Sequence, residues 1–407
     1  MPETTVTIQR LGHHGDGIAE GPIFAAGTLP GEVVSGIAQG DRLTEIRILE
    51  PSPDRVRAPC RHAKTCGGCA LQHASETFTA NWKAQVVETA LSAQGINSEI
   101  AGVETSPPQS RRRATFHAQR TKKGSIIGFF GRSSHNLVDT PDCLLLDPAI
   151  SNARPALEDL TRLGASRSTT IAIAVTASEV GLDVAVSEAK DPDRALLTSL
   201  AECAGKHGLA RLVWNGEIIA QAQAPVQKMG PAMVAPPSGA FLQATQHGQA
   251  VLTSLVQSTV QNAGRVVDLF SGCGTFALPL TRTQSVHAVE GLADLLDAAH
   301  AGWAKVGGLH KLTTETRDLF RRPLMADELA KFGAAIIDPP RAGAAAQISE
   351  IARSGLPVVA AVSCNPVTFA RDAATLIAAG FRMGPVTVVD QFRWSPHVEL
   401  FAAFQRD

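Results

Sequence analysis

The sequence predicts an α/β protein in three parts: a small β-barrel in residues 1–52, a mixed α+β region in residues 53–240, and a mostly parallel sheet with helices on both faces in residues 241–407. Three observations support this prediction. Short strand-like runs punctuated by Gly and Pro open the chain, cysteines cluster directly after them, and apolar strands alternate with helical stretches after residue 241. A chain of 407 residues is long enough for two or three separate cores.

The barrel prediction rests on closely spaced short strands. Glycines and Pro30 separate them, and Pro51 and Pro53 mark the end of the region. The expected strands are residues 5–10, 17–24, 32–38 and 42–49.

Composition excludes several classes of protein. Hydrophobic residues make up 44% and charged residues 18%, which is ordinary for a globular chain. No apolar run is long enough to span a membrane, and the first ten residues lack a signal-peptide pattern. Seven cysteines, an odd number, argue against a disulfide framework. We therefore expect a cytoplasmic protein.

Charge is spread unevenly along the chain. Residues 1–55 hold four basic and eight acidic side chains, whereas residues 106–138 hold seven basic and no acidic ones. The basic stretch also contains the rings of Phe116, His117 and Phe129. It suits contact with phosphates and some stacking, or else an ordinary solvated surface. Its basic residues are Arg111, Arg112, Arg113, Arg120, Lys122, Lys123 and Arg132.

Three cysteines fall within ten residues, which indicates a metal site. They are Cys60, Cys66 and Cys69, with Cys143 far downstream. Four thiolates suit either a 4Fe–4S cluster or zinc. A structural zinc site more often pairs two Cys-x2-Cys units, and only one is present, which favours iron–sulfur. Cys203 and Cys273 lack such context, so both are expected to be packed thiols.

The last part of the chain has the strand–helix alternation of a parallel sheet. Residues 228–239, rich in Pro and Gly, are expected to link it to the preceding region. Ligands should bind beyond the carboxyl ends of the strands. The expected strands are residues 265–270, 285–290, 311–316, 334–338, 357–363 and 387–391.

The first of these strands ends in the run Asp268-Leu-Phe-Ser-Gly-Cys-Gly-Thr-Phe276. Gly272 and Gly274 would let the backbone approach a ligand closely. The next strand ends at Glu290, and a carboxylate there can accept hydrogen bonds from ribose hydroxyls. The pattern predicts nucleoside binding, with a turn made only for packing as the alternative.

Two further motifs end later strands. Asp338-Pro-Pro-Arg341 follows the fourth strand and is either a base-facing motif or a plain helix start. Ser363-Cys-Asn-Pro366 follows the fifth. A small apolar Cys is usually core, but Cys364 stands just before a helix, whose partial positive charge favours a thiolate and hence a nucleophile.

One reaction that would need such a thiolate is methylation of a pyrimidine ring carbon, because C5 of uracil is itself a poor nucleophile. Attack on C6 turns C5 into an enolate carbon that can take a methyl group, and a base must then remove the C5 proton. The candidate base is Glu399 in His397-Val-Glu399. The alternative for Glu399 is a surface acid in a salt bridge.

Along nearly its whole length the chain resembles the RNA uracil-C5 methyltransferases of the RumA/TrmA family, most closely their 23S rRNA branch. The residues that carry the resemblance are Cys60, Cys66, Cys69, Cys143, Arg111–Arg113, Phe241–Gln243, Asp268–Phe276, Asp338–Arg341, Ser363–Pro366 and His397–Glu399.

The resemblance implies a fold and a division of roles. The fold is a class I S-adenosylmethionine (SAM) methyltransferase with a Rossmann-like sheet, an N-terminal TRAM/OB-like barrel and a central iron–sulfur domain. Cys364 would be the nucleophile and Glu399 the base, while Cys60, Cys66, Cys69 and Cys143 would hold a 4Fe–4S cluster. The SAM and base site would be lined by Gln243, Phe270, Thr275, Glu290, Asp318 and Asp338.

The resemblance also implies an RNA partner, with 23S rRNA preferred and the T-loop of tRNA as the alternative for the same chemistry. A different class of function is a cluster-bearing RNA-binding protein without catalysis. That class would lack Cys364 or Glu399, and both are present. We expect a monomer that binds neither membranes nor DNA.

Overall fold

The computed structural model describes residues 3–406 and begins with a closed barrel. The strands are in the order β1-β2-β3-β5-β4, so the predicted small barrel is confirmed. The expected strand at 17–24 is in fact two short strands with a turn at residues 20–22. The barrel strands are β1 (Glu3–Leu11), β2 (Gly17–Ala19), β3 (Ile23–Ala25), β4 (Val33–Gln39) and β5 (Arg42–Glu50).

After a loop that carries three cysteines, the chain forms one helix and one strand and then a second sheet. Ser75 caps the helix by accepting the N–H of Phe78. These elements are α1 (Glu76–Ser92), β6 (Ile100–Thr105), β7 (Arg113–Arg120), β8 (Ser125–Phe130), β9 (Leu137–Asp139), α2 (Pro148–Ser151), α3 (Arg154–Gly164), β10 (Ile171–Ser178), β11 (Gly181–Ser187), α4 (Arg194–Lys206), β12 (Arg211–Trp214) and β13 (Glu217–Gln221).

The second sheet has the order β13-β12-β11-β10-β7-β8-β9. Helices α3 and α4 cover it with an apolar core that includes Leu157, Leu200 and Trp214. Gly164 lets the indole approach: a Cβ there would lie 2.3 Å from Trp214 Cη2. Cys203 is buried in α4, within 4.8 Å of ligand atoms of Asp159 and His207.

The segment expected as a link, residues 228–239, is partly a packed hairpin. Its strands are β14 (Gln227–Met229) and β15 (Ala232–Val234). Met229, Ala232 and Val234 are fully buried in the core of the last part of the chain. Because these apolar residues lie on one face of the hairpin, that face packs against the core of the last part of the chain. The hairpin is therefore not a free linker between two domains.

The last part contains the predicted parallel sheet. Its elements are α5 (Gln246–Val260), β16 (Arg265–Leu269), α6 (Ala277–Leu280), β17 (Ser285–Glu290), α7 (Ala293–Ala304), β18 (Leu312–Thr316), α8 (Ala326–Leu329), β19 (Ala334–Ile337), α9 (Ala345–Arg353), β20 (Val358–Ser363), α10 (Pro366–Ala378), β21 (Arg382–Met383), β22 (Val386–Asp390) and β23 (Leu400–Gln405). The strand order is β18-β17-β16-β19-β20-β23-β22-β6. Strands β16 to β20 pair in parallel, and β23 runs antiparallel between β20 and β22. No helix among residues 3–406 is both long and apolar enough to cross a membrane.

The predicted boundaries place α1 and β6 in the central region, and the structure places them against the last sheet. Strand β6 pairs in parallel with β22, from Ile100 beside Val386 to Thr105 beside Asp390. Helix α1 packs on α10, and Val87 and Leu91 lie in the same apolar core as Phe369. Burial of this apolar face outweighs closeness in the chain.

Candidate active site

The predicted site residues gather at one edge of the last sheet. The chain leaves β16 toward β17 and β18 on one side and later returns to β19 and β20 on the other. This reversal opens a crevice beyond the carboxyl ends of the strands, where open α/β sheets bind ligands.

The turn after β16 is shaped for close approach to a ligand. Phe270, Gly272 and Gly274 have φ of 60°, 53° and 84°, in the left-handed region. Glu290, at the end of β17, accepts the N–H of Gly272 at 3.0 Å and that of Gly291 at 2.6 Å. Thr275 lies half-buried in the same turn.

Two aromatic rings stand beside this turn. The Phe270 and Phe320 centroids are 5.3 Å apart, and Phe320 is 48% exposed. Asp318 accepts the N–H of Phe320 at 3.0 Å and so fixes the loop after β18. Phe320 was not among the predicted site residues. Its signal in the sequence is an apolar residue two positions after Asp318, in a loop.

Two acids, Asp268 and Asp338, lie at the crevice. Asp268 is fully buried, and no side chain of the described residues donates a hydrogen bond to its carboxylate. Burial and the nearby charges of Asp338 and Glu290 raise the pKa of Asp268 well above its usual range. Burial likewise raises the pKa of Asp338, which accepts a hydrogen bond from Gln243 Nε2 at 3.2 Å.

Cys364 and Glu399 are brought together by strand register. Ser363 of β20 pairs with Leu400 of the antiparallel β23, so the next residue on one strand faces the preceding residue on the other. Cys364 is half-buried, and Glu399 is 2% exposed. Burial and then the charge of Asp338 raise the pKa of Glu399.

The surroundings of Cys364 differ from the expectation that a helix start favours its thiolate. Asn365 does cap α10, by accepting the N–H of Val367. Nevertheless burial and the neighbouring carboxyls of Glu399 and Asp338 raise the pKa of Cys364 to about 11, while the Arg341 guanidinium opposes the rise. The desolvation of the thiolate and the like charges outweigh the helix end.

The loop that carries Arg341 is tied to the loop of Cys364. Asn365 Nδ2 donates to the Arg341 carbonyl at 2.8 Å, and Arg341 Nη2 lies 3.0 Å from His397 Nδ1. Arg341 therefore holds a positive charge near both Cys364 and Glu399.

The arginine triplet, expected at an RNA-binding or solvated surface, is mostly internal. Arg112 is 3% exposed and donates to the Gln243 carbonyl at 2.9 Å and to Gln249 Oε1 at 2.7 Å. Arg113 donates to the Leu242 carbonyl and lies over the ring of Phe241. These two residues hold the segment that presents Gln243. The exposed cations of the basic stretch are Arg120, Lys122 and Lys123.

The four cysteines predicted to bind a metal line one cavity of about 870 Å³. The cavity extends to the loop of residues 391–397 and to Arg341 at the crevice. All four cysteines are half-buried, whereas Cys273 is buried in the core as expected. Gly67, within the cysteine loop, donates to the Phe130 carbonyl at 2.9 Å and so joins this loop to β8.

Electrostatics at these cysteines suit a bound cation. Burial, and to a smaller extent the charges of Cys143, Cys66 and Cys60, raise the pKa of Cys69 to about 12. Backbone N–H groups of His62 and Gly68 point at the sulfurs of Cys60 and Cys66, at 3.4 Å each. Such donors stabilise thiolates that a metal has already neutralised.

The fold and this site define a class of protein. Class I methyltransferases that use SAM typically have a Gly-rich turn after the first parallel strand and an acid after the second. They typically carry the side chains that act on the substrate after the fourth and fifth strands, where Asp338 and Cys364 stand here.

Comparisons with known proteins narrow the class. The family model of tRNA (uracil-5-)-methyltransferases matches residues 307–406. An uncharacterized RNA methyltransferase of Rhizobium meliloti is 43% identical over 100% of both chains. The 23S rRNA (uracil(1939)-C(5))-methyltransferase of Pectobacterium atrosepticum is 31% identical over 99% of this chain and 94% of its own.

A solved structure supports the same fold. Pyrococcus abyssi tRNA (uracil-54, C5)-methyltransferase, in complex with S-adenosyl-L-homocysteine, superposes with a TM-score of 0.77 at 21% identity, over 98% of this chain and 99% of that one. Taken with the identities above, the chain belongs to the family of SAM-dependent RNA uracil-C5 methyltransferases.

Proposed function

We propose that this protein forms 5-methyluridine in 23S rRNA by a covalent mechanism in which Cys364 is the nucleophile and Glu399 the base. The observation that carries the proposal is the register of β20 and β23, which sets these two side chains opposite each other at the crevice. A nucleophile and a base on the same side of a bound ring are what methylation at C5 needs.

The proposed methylation of uracil C5 has three steps. The Cys364 thiolate forms a bond to uracil C6, and the electron pair of the C5=C6 bond moves to make C5 an enolate carbon. C5 takes the methyl group of SAM, and S-adenosylhomocysteine leaves. Glu399 removes the C5 proton, the C5=C6 bond re-forms, and the C6–S bond breaks to return the thiolate. The raised pKa of Glu399 makes it a stronger base than an ordinary carboxylate.

SAM binding is assigned to the crevice between β16, β17 and β19. The carboxyl groups of Asp268 and Asp338, where ionised, would match the positive charge of SAM, and Glu290, which holds the Gly-rich turn, would accept hydrogen bonds from its ribose. Phe270 and Asp318 would border the adenine, and Thr275, in the Gly-rich turn, would contact the same nucleoside. Gln243, held by Arg112, would face the base together with Asp338.

We also propose that Cys60, Cys66, Cys69 and Cys143 hold a 4Fe–4S cluster. The shared cavity, the mutual repulsion of the thiolates and the N–H groups aimed at two sulfurs support it. A bound cluster would neutralise the four thiolates and fix the cysteine loop. A colourless, iron-free anaerobic preparation that contains zinc would overturn this assignment.

The rRNA target is supported by the likeness to the Pectobacterium enzyme, which covers both chains almost entirely. The same chemistry on a tRNA uridine is the second candidate, because the Pyrococcus enzyme of the same fold is named for tRNA. Mass spectrometry of nucleosides from 23S rRNA and tRNA of a deletion strain tests both. Loss of one 5-methyluridine from 23S rRNA is expected. Loss from tRNA alone would move the target, and loss from neither would refute the proposed function.

A further inference from the structure

A chain of hydrogen bonds joins Glu399 to Asp338 through two glutamines. Gln391 Nε2 donates to Glu399 Oε2 at 2.9 Å and to Gln243 Oε1 at 2.5 Å. Gln243 Nε2 in turn donates to Asp338 Oδ2 at 3.2 Å. Gln243 and Gln391 are each 2% exposed, so water does not compete for these bonds.

The direction of the Gln391 amide is fixed by the backbone. The N–H of Ala244 can only donate, and it donates to Gln391 Oε1 at 2.7 Å. The Nε2 group must therefore face Glu399 and Gln243. The amide thus makes three hydrogen bonds, and each of its two donor hydrogens has a partner.

The position of Gln391 is also shaped sterically. Gly248, in the first turn of α5, lies against it: a Cβ at residue 248 would be 2.9 Å from Gln391 Cβ and 3.0 Å from its Oε1. The absence of a side chain on Gly248 leaves a slot that the glutamine occupies. Backbone, helix and side chain together leave one orientation for this amide.

We propose that Gln391 is a positioning residue that holds Glu399 by its Oε2 atom, so that Oε1 receives the proton from C5 of the methylated uracil adduct. The inference rests on the proposed function. When Oε1 takes the proton, the C5–H electron pair re-forms the C5=C6 bond and the C6–S bond breaks, which returns the Cys364 thiolate. Donation by Gln391 to the carboxylate also opposes the rise in the pKa of Glu399 that burial and the charge of Asp338 cause.

A glutamine suits this place better than an acid does. Glu399 already faces the carboxyl of Asp338, with Arg341 as the nearby cation and the Cys364 thiol opposite. A carboxylate at residue 391 would increase the electrostatic repulsion on Glu399. The neutral amide of glutamine supplies hydrogen-bond donors without adding charge.

The test substitutes Gln391→Met, which keeps the length of the side chain and removes its donors. The matched control is Gln347→Met. Gln347 is equally buried, but it bonds only to the backbone of Leu324. Single-turnover experiments on uridine-containing RNA would follow formation of S-adenosylhomocysteine, the covalent enzyme–RNA adduct and the release of 5-methyluridine.

The expected result for Gln391→Met is methyl transfer within about threefold of the wild type, with release of product slowed at least tenfold, so that the adduct accumulates. The pH profile of product release should also shift to higher pH, because the Glu399 carboxylate loses a hydrogen-bond donor and its pKa rises. The Gln347→Met control should change neither quantity. If Gln391→Met does not fold, Gln391→Asn, whose shorter amide falls short of Glu399, is judged by the same measurements.

Release at the wild-type rate, or an equal loss of methyl transfer and release, would overturn the positioning role. The proposed function fails separately: the wild type would then form neither 5-methyluridine nor an adduct, whatever stands at residue 391.

Discussion

Two groups of thiols in this molecule make an instructive comparison. Cys364 stands alone at the edge of the last sheet, and Cys60, Cys66, Cys69 and Cys143 share a cavity nearby. Burial raises the pKa at both places, for example to about 11 at Cys364 and to about 12 at Cys69. Burial alone therefore does not tell the two groups apart.

The charged groups around the cysteines distinguish the two sites. Cys364 faces two carboxyls and one guanidinium, whereas Cys69 faces other cysteines and lies near Arg111. A lone thiol beside a base can add to a substrate and leave again, whereas four neighbouring thiolates repel one another and are stable together only around a cation. The difference teaches that the neighbouring charges decide the chemistry of a buried cysteine.

The sharpest test of the comparison is removal of the lone thiol. Cys364→Ala is expected to lower turnover on the order of 10⁴-fold or more, because no covalent adduct can form. SAM binding should be unchanged, and RNA containing 5-fluorouridine should no longer be trapped. Cys203→Ala, in α4, is the control and should keep activity. Turnover within tenfold of the wild type for Cys364→Ala would falsify the covalent role.

A second test removes the buried ion pair that supports the loop between the two thiol sites. Lys83 of α1 is fully buried and donates to Asp390 at 2.5 Å and to the Phe392 carbonyl at 3.2 Å, at the start of the loop between the sites. Lys83→Met leaves a buried carboxylate without its partner, which costs about 3–5 kcal/mol.

Chemical denaturation measures this loss. The control is Arg162→Met, which removes an exposed partner of Asp159 and should cost less than about 1 kcal/mol. Equal losses for the two variants would mean that the buried pair contributes no more than a surface one.

The third test acts on the shared cavity. Cys69→Ser should lower the iron content of anaerobically purified protein at least tenfold and remove its visible absorption, while Cys203→Ser should keep both. Unchanged iron in Cys69→Ser would exclude that residue as a ligand. SAM affinity, measured by calorimetry, should stay the same in both variants, because neither Asp268 nor Glu290 lines the cavity that the cysteines share.

The last test is the pH dependence of turnover. Protonated Glu399 cannot take a proton, and its raised pKa moves the active form to higher pH. The Cys364 thiol is shifted in the same direction. The value of kcat should therefore rise from pH 6 to pH 8, by about tenfold per pH unit for each of these groups that must lose its proton. A flat profile over this range would show that neither group titrates in the step that limits the rate.

Much of the catalytic sheet could be predicted from the sequence because its signals are local. Each expected strand after residue 241 is a short apolar run that ends at a polar or glycine-rich turn, and the parallel order follows from the helices between them. Since carboxyl ends of parallel strands share an edge, Asp268, Glu290, Asp338 and Cys364 could be placed together without coordinates.

Other features depend on long-range packing that the sequence does not encode locally. Arg112 reads as a surface cation because it lies in a basic run, yet the carbonyl of Gln243 and the side chain of Gln249 bind it in the interior. Gln391 belongs to no recognisable sequence motif. Its contact with Glu399 becomes visible only from the hydrogen bonds that orient its amide group. The place of α1 and β6 is decided by a shared core with α10.

The pairing of β6 with β22 has a consequence for synthesis on the ribosome. Residues 100–105 leave the ribosome long before residues 386–390, so β6 has no partner while residues 106–385 are made. At about 5–20 residues per second this interval lasts roughly 14–56 seconds. The catalytic sheet can therefore be completed only when nearly the whole chain has been made. Until then the unpaired strand β6 and the apolar face of α1 are available for a chaperone to bind.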